Sequence, residues 1–122
     1  MPTYIQTTRA VKNDFTTTTA TIANGASLSN AVNLGTSDLI SIIMPAAWTA
    51  AALTYQFSVD GTNFYDAYSG TAELTATSTG ASRMISINAA TYDAARYIKI
   101  RSGTSATPVN QAADRTLTLI LG

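Results

Sequence analysis

The sequence predicts an all-β protein, an antiparallel β-sandwich of jelly-roll-like form with an extended N-terminal arm. Three observations predict this fold. Aliphatic residues alternate with polar residues in several short segments, turn-forming residues separate these segments, and no long segment has the periodicity of a helix. Because 122 residues is a usual size for one domain, we divide the chain into an arm, residues 1–13, and a single β-sandwich domain, residues 14–122.

The first half of the predicted domain contains two weak strand signals followed by a strong one. Residues 15–23 and 26–34 are rich in Thr, Ser and Asn and predict weaker strands. Residues 39–44 are almost continuously apolar, which is typical of a central strand covered on both faces. Residues 45–52 and 89–95 have room for one short helical turn each.

Four later segments alternate most clearly, and they lie at residues 53–59, 83–87, 96–101 and 115–121. In each segment the aliphatic residues fall on one face, and Thr, Ser, Gln, Lys or Arg fall on the other. The shared phase predicts which side chains point into the core. These are Leu53, Tyr55, Phe57, Val59, Ile85, Ile87, Ile98, Ile100, Leu117, Leu119 and Leu121.

Asn24-Gly25 and Asp60-Gly61 are the strongest turn signals. A type I′ hairpin turn requires positive φ at both central residues, and Asn, Asp and Gly adopt positive φ at low cost. The second signal belongs to a small polar cluster of Asp60, Asn63 and Asp66, whose spacing also suits oxygen ligands of Ca²⁺. Because the closing bidentate Glu of a calcium loop is missing, we interpret the cluster as a structural turn.

The composition argues against an enzyme. The chain contains no cysteine and no histidine, which removes the thiolate nucleophile and the commonest general base and metal ligand. No Ser-x-x-Lys motif, no distinctive pair of carboxylates and no glycine-rich phosphate loop is present. We therefore predict a non-enzymatic protein with no catalytic residue, no cofactor and no metal site.

The charge content indicates association with other protein. Only 11% of the residues are charged, and 7 basic residues balance 7 acidic ones. A net charge near zero promotes association, which predicts a homo-oligomer, either a dimer or a trimer. Nucleic acid is not an expected partner because the basic residues form no cluster. Four of them are spread over two predicted strands, where a solvated or inter-subunit role is expected: Arg83, Arg96, Lys99 and Arg101.

Membrane insertion and export are not expected from the sequence either. The longest apolar run, residues 42–47, is far shorter than the roughly 20 residues that a bilayer-spanning helix needs. The N-terminal residues also lack the basic region and apolar stretch of a secretory signal.

Candidate contact residues lie in two regions. In the arm, Tyr4, Ile5 and Val11 would have no partner in solvent, which favours an arm that adds to the sheet edge of a neighbour over a frayed terminus. In the domain, the aromatic residues that the core does not need are Trp48, Tyr65 and Tyr68. Such residues are enriched at protein interfaces, although an aromatic sugar-binding platform is the alternative interpretation.

Three segments resemble small structural proteins of tailed-bacteriophage virions. They are residues 39–53, 57–66 and 95–103, and the resemblance extends over about residues 20–122. It implies a capsid cement or decoration protein on the outer surface of the capsid, made in the host cytoplasm. The implied partners are the major capsid protein or other virion subunits.

Three other roles stay open at this point. A small neck or tail subunit, or a tail module that binds a sugar or receptor, would share the same simple strand and turn pattern. A bacterial adhesive domain outside any virion is a further alternative, and the genes beside this one would separate it from a phage protein.

Overall fold

The computed structural model describes residues 15–87 and 94–122. The predicted arm, with Tyr4, Ile5 and Val11, lies outside the described residues, as does most of the segment 89–95. The described residues form strands and no helix. The strands are β1 (Thr16–Ile22), β2 (Val32–Asn33), β3 (Leu39–Ile43), β4 (Leu53–Ser58), β5 (Tyr65–Asp66), β6 (Tyr68–Ser69), β7 (Ala72–Glu73), β8 (Met84–Ser86), β9 (Tyr97–Ser102) and β10 (Arg115–Leu121).

The strands form two four-stranded antiparallel sheets and one small hairpin. The first sheet has the order β1-β10-β3-β8, the second has the order β2-β9-β4-β5, and β6 pairs with β7. Neighbours in a sheet are often distant in sequence, since β1 pairs with β10 and β2 pairs with β9. The prediction of an all-β, antiparallel fold is confirmed, and the two sheets share one core in a sandwich-like arrangement.

The core consists of the inward side chains of both sheets. Most of the residues predicted to point inward are buried: Leu53, Tyr55, Ile85, Ile98, Ile100, Leu117, Leu119 and Leu121. Phe57 and Ile87 are partly buried and pack against this cluster. The prediction for Val59 is wrong, because its side chain is 70% exposed. Strand β4 ends one residue earlier, where the Ser58 hydroxyl accepts the Gly61 N–H at 2.8 Å and the chain turns.

Strand β3 lies in the interior of the first sheet, as its apolar sequence predicts. Its Leu39 and Ile42 are fully buried, whereas Ser41 and Ile43 face outward and are only partly buried. The outward face of β3 is therefore less covered than expected for a strand that is covered on both faces. Ile120 pairs with Ser41 and Leu121 pairs with Leu39, so Ile40 is an extra residue in the strand, a β-bulge.

The turn signals mark real turns, but their predicted type is wrong. Among the described residues Ser82 is the only non-glycine with a positive φ, so neither Asn24 nor Asp60 has the φ of a type I′ turn. At the first turn the Ala26 N–H donates to the Ala23 oxygen at 2.9 Å, with Gly25 at φ 81°, as in a type II turn. This turn carries the chain away from the first sheet, so a hairpin geometry is not required.

Two weaker predictions also differ from the structure. Only two residues of the segment 26–34 form a strand, β2, although Ser29 bonds with Ile100 of β9 through its N–H at 2.8 Å. The segment 45–52 contains no helical turn. Both segments are held by side-chain hydrogen bonds to other parts of the chain, which a propensity argument does not include.

Candidate functional site

Two of the predicted contact residues, Tyr65 and Tyr68, lie together in one surface groove of about 280 Å³. Tyr65 on β5 pairs with Phe57 on β4, and Tyr68 begins the β6–β7 hairpin. The groove is mainly apolar, and its most exposed side chains are Val59 at 70%, Tyr65 at 68% and Tyr68 at 54%. Large exposed apolar side chains that share one groove are typical of contact surfaces.

The buried residue Ala67 positions both tyrosines. It lies between β5 and β6, where its N–H donates to the Tyr55 oxygen at 3.0 Å and its oxygen accepts the Leu74 N–H at 2.9 Å. Because Ala67 is packed in the core cluster, Tyr65 and Tyr68 lie on either side of Ala67 and are exposed. Ala67 itself lines the groove between the two tyrosines.

A buried arginine anchors the hairpin that carries Tyr68. Arg101 on β9 forms ion pairs with Asp66 on β5 and, at 3.2 Å, with Glu73 on β7. Its guanidinium also donates to the Thr54 hydroxyl at 3.3 Å. The hydrogen bond from Arg101 is the main cause that lowers the pKa of Asp66 below its ordinary value. Since Arg101 is 6% exposed, the prediction of a solvated or inter-subunit role is wrong for this residue.

The Asp60 loop closes the other side of the groove. The Asp60 carboxylate accepts the N–H groups of Thr62 at 2.8 Å and Asn63 at 2.9 Å, and the Ser58 hydroxyl at 2.9 Å. These hydrogen bonds, led by that from the Asn63 backbone, lower the pKa of Asp60 well below its ordinary value. The carboxylate acts as a turn-stabilising acceptor, and the loop that it orders places Val59 beside Tyr65.

Trp48, the third predicted contact residue of the domain, lies apart from the groove. It is partly buried and packs against the core, while its indole N–H donates to the Ala51 oxygen at 3.1 Å. The structure therefore does not bring Trp48 together with Tyr65 and Tyr68.

The outward face of the first sheet is a second candidate surface. Register places the side chains of this outer face in two rows across all four strands. The rows are Thr17, Ile120, Ser41 and Ser86, and Thr19, Thr118, Ile43 and Met84. None of these side chains is charged. The alternation in the sequence predicts polar side chains on this face. The strand register adds that the side chains brought together on it are uncharged.

A buried amide with no recognisable signal in the sequence holds one end of the two sheets together. Gln111 is 1% exposed, and its Oε1 accepts the Thr49 N–H at 2.9 Å and the Arg115 Nε–H at 3.0 Å. Its Nε2 donates to the Thr49 oxygen at 3.0 Å and to the Ser102 hydroxyl at 2.7 Å. Every polar position of this amide has a partner, which indicates a structural clamp.

The described residues offer no cluster of three or more acidic, His or Cys side chains that would hold a metal ion. Within the same part of the chain, no helix has the length and apolar character needed to cross a membrane. Comparison with protein-family models, curated proteins and solved structures gives no match.

Proposed function

We propose that the chain is a non-enzymatic virion structural protein of a bacteriophage, a capsid cement or decoration protein that binds the assembled major capsid shell. The observation that carries this proposal is the outer face of the first sheet, which crosses four strands without a charged side chain. Such a face loses little solvation energy of charges when another protein covers it. The resemblance of residues 39–53, 57–66 and 95–103 to virion proteins gives the kind of partner.

We also propose that the fold is a jelly roll. Eight strands are divided between the two sheets so that β1 adjoins β10 and β2 adjoins β9, which is the nested order of two Greek keys. The β6–β7 hairpin is then an insertion between β5 and β8. Jelly rolls occur in viral capsid domains and in lectins, and therefore the fold agrees with the proposed role without proving it.

The size of the outer face suggests how attachment works. Four strands about 4.8 Å apart, with about five residues each at 3.3 Å, give a projected area of roughly 300 Å². A stable interface usually buries about 800 Å² per partner. The face alone falls short, so we propose that the arm, residues 1–13, supplies further contact through Tyr4, Ile5 and Val11. Binding that is selective for the assembled shell stabilises that state by mass action.

A sedimentation assay tests this proposal. The purified protein is mixed with assembled capsids and, separately, with unassembled major capsid protein, both from the phage whose genome carries this gene. We expect co-sedimentation with assembled capsids only. A lysine in the middle of the outer face, Thr118→Lys, should abolish binding, whereas the matched control Thr62→Lys on the exposed Asp60 loop should bind normally. Equal binding by both variants contradicts a contact through this face.

A sugar-binding tail module is the second candidate, and the groove with Tyr65 and Tyr68 favours it. Two exposed tyrosine rings beside the carboxylate of Asp66 provide a stacking surface and a hydrogen-bond acceptor. A glycan array decides between the candidates. Binding that Tyr65→Ala and Tyr68→Ala both remove would support the tail module, and absence of glycan binding would leave the capsid proposal.

A further inference from the structure

Strand β8 (Met84–Ser86) forms an open edge of the first sheet. It pairs with β3 on one side, and no described strand lies along its other side. Two hydrogen bonds fix the direction of its backbone groups: the Met44 N–H donates to the Arg83 oxygen at 2.7 Å, and the Ile87 N–H donates to the Ile40 oxygen at 2.8 Å.

The direction of the remaining groups follows from the alternation of an antiparallel strand. Since Arg83 and Ile87 bond towards β3, Ile85 between them also faces β3. The N–H and C=O groups of Met84 and Ser86 therefore point away from the sheet. A free edge with groups in this orientation is a template for another strand.

The space beside this edge is suitable for a strand. A surface depression of about 510 Å³ runs along it and is lined by Ser78, Arg83, Met84, Ile85 and Ser86. The Met84 side chain is 65% exposed. An exposed apolar side chain next to unpaired backbone groups is the combination that strand addition uses.

We infer that β8 pairs with β8 of a second copy of this chain, antiparallel and about a two-fold axis that passes through Ile85. In this register Met84 of each copy lies opposite Ser86 of the other. Both positions present outward N–H and C=O groups, so each of the two pairs exchanges two hydrogen bonds. The edge is thus complementary to itself.

Charge agrees with a second copy as the partner. Arg83 is the only charged residue among those that line the edge. The two-fold register separates the Arg83 residues of the two copies by four positions, about 13 Å along the strand. This distance exceeds the screening length of about 8 Å at physiological salt. The formal net charge of zero adds no general repulsion, and two-fold dimers are the commonest closed assemblies.

The opposite edge of the same sheet is less suitable. There, Asn30 occupies the end of β1: its side-chain Oδ1 accepts the Thr21 N–H at 2.8 Å, and its own N–H donates to the Thr21 oxygen at 3.3 Å. A partner strand on β1 would collide with this residue before it covered the strand. The edge at β1 therefore serves as an internal control.

The pairing has a consequence for the proposed function. Two first sheets joined at β8 form one continuous eight-stranded sheet, and their outer faces lie on the same side. The uncharged area available for a shell is doubled, to roughly 600 Å² in projection. This consequence rests on the proposed function, whereas the pairing itself does not.

Light scattering of the isolated protein, with edge variants, tests the pairing. We expect a mass of about twice 12.8 kDa for the wild type. Ser86→Pro should halve this mass, because proline removes an outward N–H that the monomer does not use, and edge strands tolerate proline there. The matched variant Thr19→Pro, which removes an outward N–H of β1, should remain dimeric. Circular dichroism checks that both variants fold.

Hydrogen exchange of the wild type provides a test that needs no variant. The amides of Met84 and Ser86 should exchange about tenfold or more slowly at high protein concentration than at low concentration, while that of Thr19 should not change. A wild-type monomer at high concentration, a trimer, or a Ser86→Pro dimer overturns the inference. A monomer that still binds capsids overturns the pairing alone, and a dimer that binds no capsid overturns the proposed function alone.

Discussion

Arg101 on β9 and Glu73 on β7 form an ion pair of 3.2 Å that ties the β6–β7 hairpin to the second sheet. Glu73 also accepts the Ser105 N–H at 3.2 Å, so its carboxylate connects three segments of the chain. Glu73 is the register partner of Tyr68 in this hairpin, so the ion pair anchors the strand that lies beside Tyr68.

Replacing Arg101 with methionine should lower the free energy of unfolding by about 3 kcal/mol. Removing one partner of a buried ion pair costs about 3–5 kcal/mol, and the low end applies because the Asp66 side chain is 37% exposed. Urea denaturation measures the change. Arg96→Met, at an exposed residue, is the control and should change stability by less than about 0.5 kcal/mol. Similar losses in both variants would contradict the assigned role.

Stability should depend on pH through Asp66. Its pKa in the folded state lies below the ordinary value of 3.8 because of the hydrogen bond from Arg101. A carboxyl group with a lowered folded pKa stabilises the fold above its unfolded pKa, and this contribution disappears as the pH falls through the folded pKa. Thermal melts at intervals of about one pH unit from pH 6 to pH 2 should show this loss of stability below about pH 4.

The variant Asp66→Asn identifies the source of that loss. It should be less stable than the wild type at neutral pH and should lose less on acidification. Asp60, whose pKa is also lowered, contributes in the same direction, so Asp60→Asn is measured in parallel. An acid profile that Asp66→Asn leaves unchanged would exclude Asp66 as a contributor.

The Gln111 clamp should be sensitive to loss of its amide. Gln111→Leu keeps the approximate volume but leaves the Ser102 hydroxyl and the Arg115 Nε–H without this partner. Each buried polar group without a partner costs about 1–3 kcal/mol, and we therefore expect a total loss of about 3 kcal/mol. The neighbouring exposed residue provides the control, Asn110→Leu, with a change near zero. Equal stability of the two variants would show that the clamp is dispensable.

Alanine substitutions at Gly35 and Gly103 distinguish the cost of a left-handed backbone conformation from the cost of steric crowding. Gly35 has φ 63° and open space around it, whereas a Cβ on Gly103, at φ 90°, would lie 2.5 Å from the Thr107 oxygen. Gly35→Ala should cost about 1–2 kcal/mol for the left-handed conformation alone. Gly103→Ala should lower the free energy of unfolding by at least about 2 kcal/mol more than Gly35→Ala does, because the backbone at Thr107 must move. Calorimetric melting compares the two, and the reverse order would be incompatible with this close approach.

Deleting residues 1–13 tests the arm. We expect the truncated domain to melt near the wild-type temperature, since this segment carries little of the alternating apolar pattern from which the core positions are predicted. Binding to assembled capsids should weaken, because Tyr4, Ile5 and Val11 would be lost as anchors. A sharp fall in melting temperature with unchanged binding would identify the segment as an ordinary strand of the fold.

The sequence predicts the long strands well because the alternation of apolar and polar residues can be recognised within each segment alone. Alternation over 115–121 and 96–101 is enough to find β10 and β9 and their buried faces. The prediction for Val59 is wrong because the alternation in the sequence continues past Ser58, whereas in the structure a hydrogen bond to the Ser58 side chain already turns the chain.

Buried polar residues could not be predicted in the same way. Thr54 lies on the polar face of its segment and yet is fully buried, because its hydroxyl donates to the Gly103 oxygen at 2.7 Å under a distant part of the chain. Arg101 bonds with partners 28 to 47 positions away in sequence, and Gln111 bonds with Thr49, which is 62 positions away. Such contacts depend on topology, which composition and period do not contain. Tyr65 and Tyr68 are exposed, as expected for aromatic residues that the core does not need, and their contact with a partner stays a prediction.

If the outer face of the first sheet binds the proposed shell, the bulge at Ile40 affects the shape of partner that this face accepts. An extra residue bends its strand and increases the local right-handed twist, so we expect the outer face to be curved. A flat surface would touch a curved face over a smaller area. A partner whose curvature changes as it assembles would therefore fit in one state and not in the other, and selectivity for that state would need no specific polar contact.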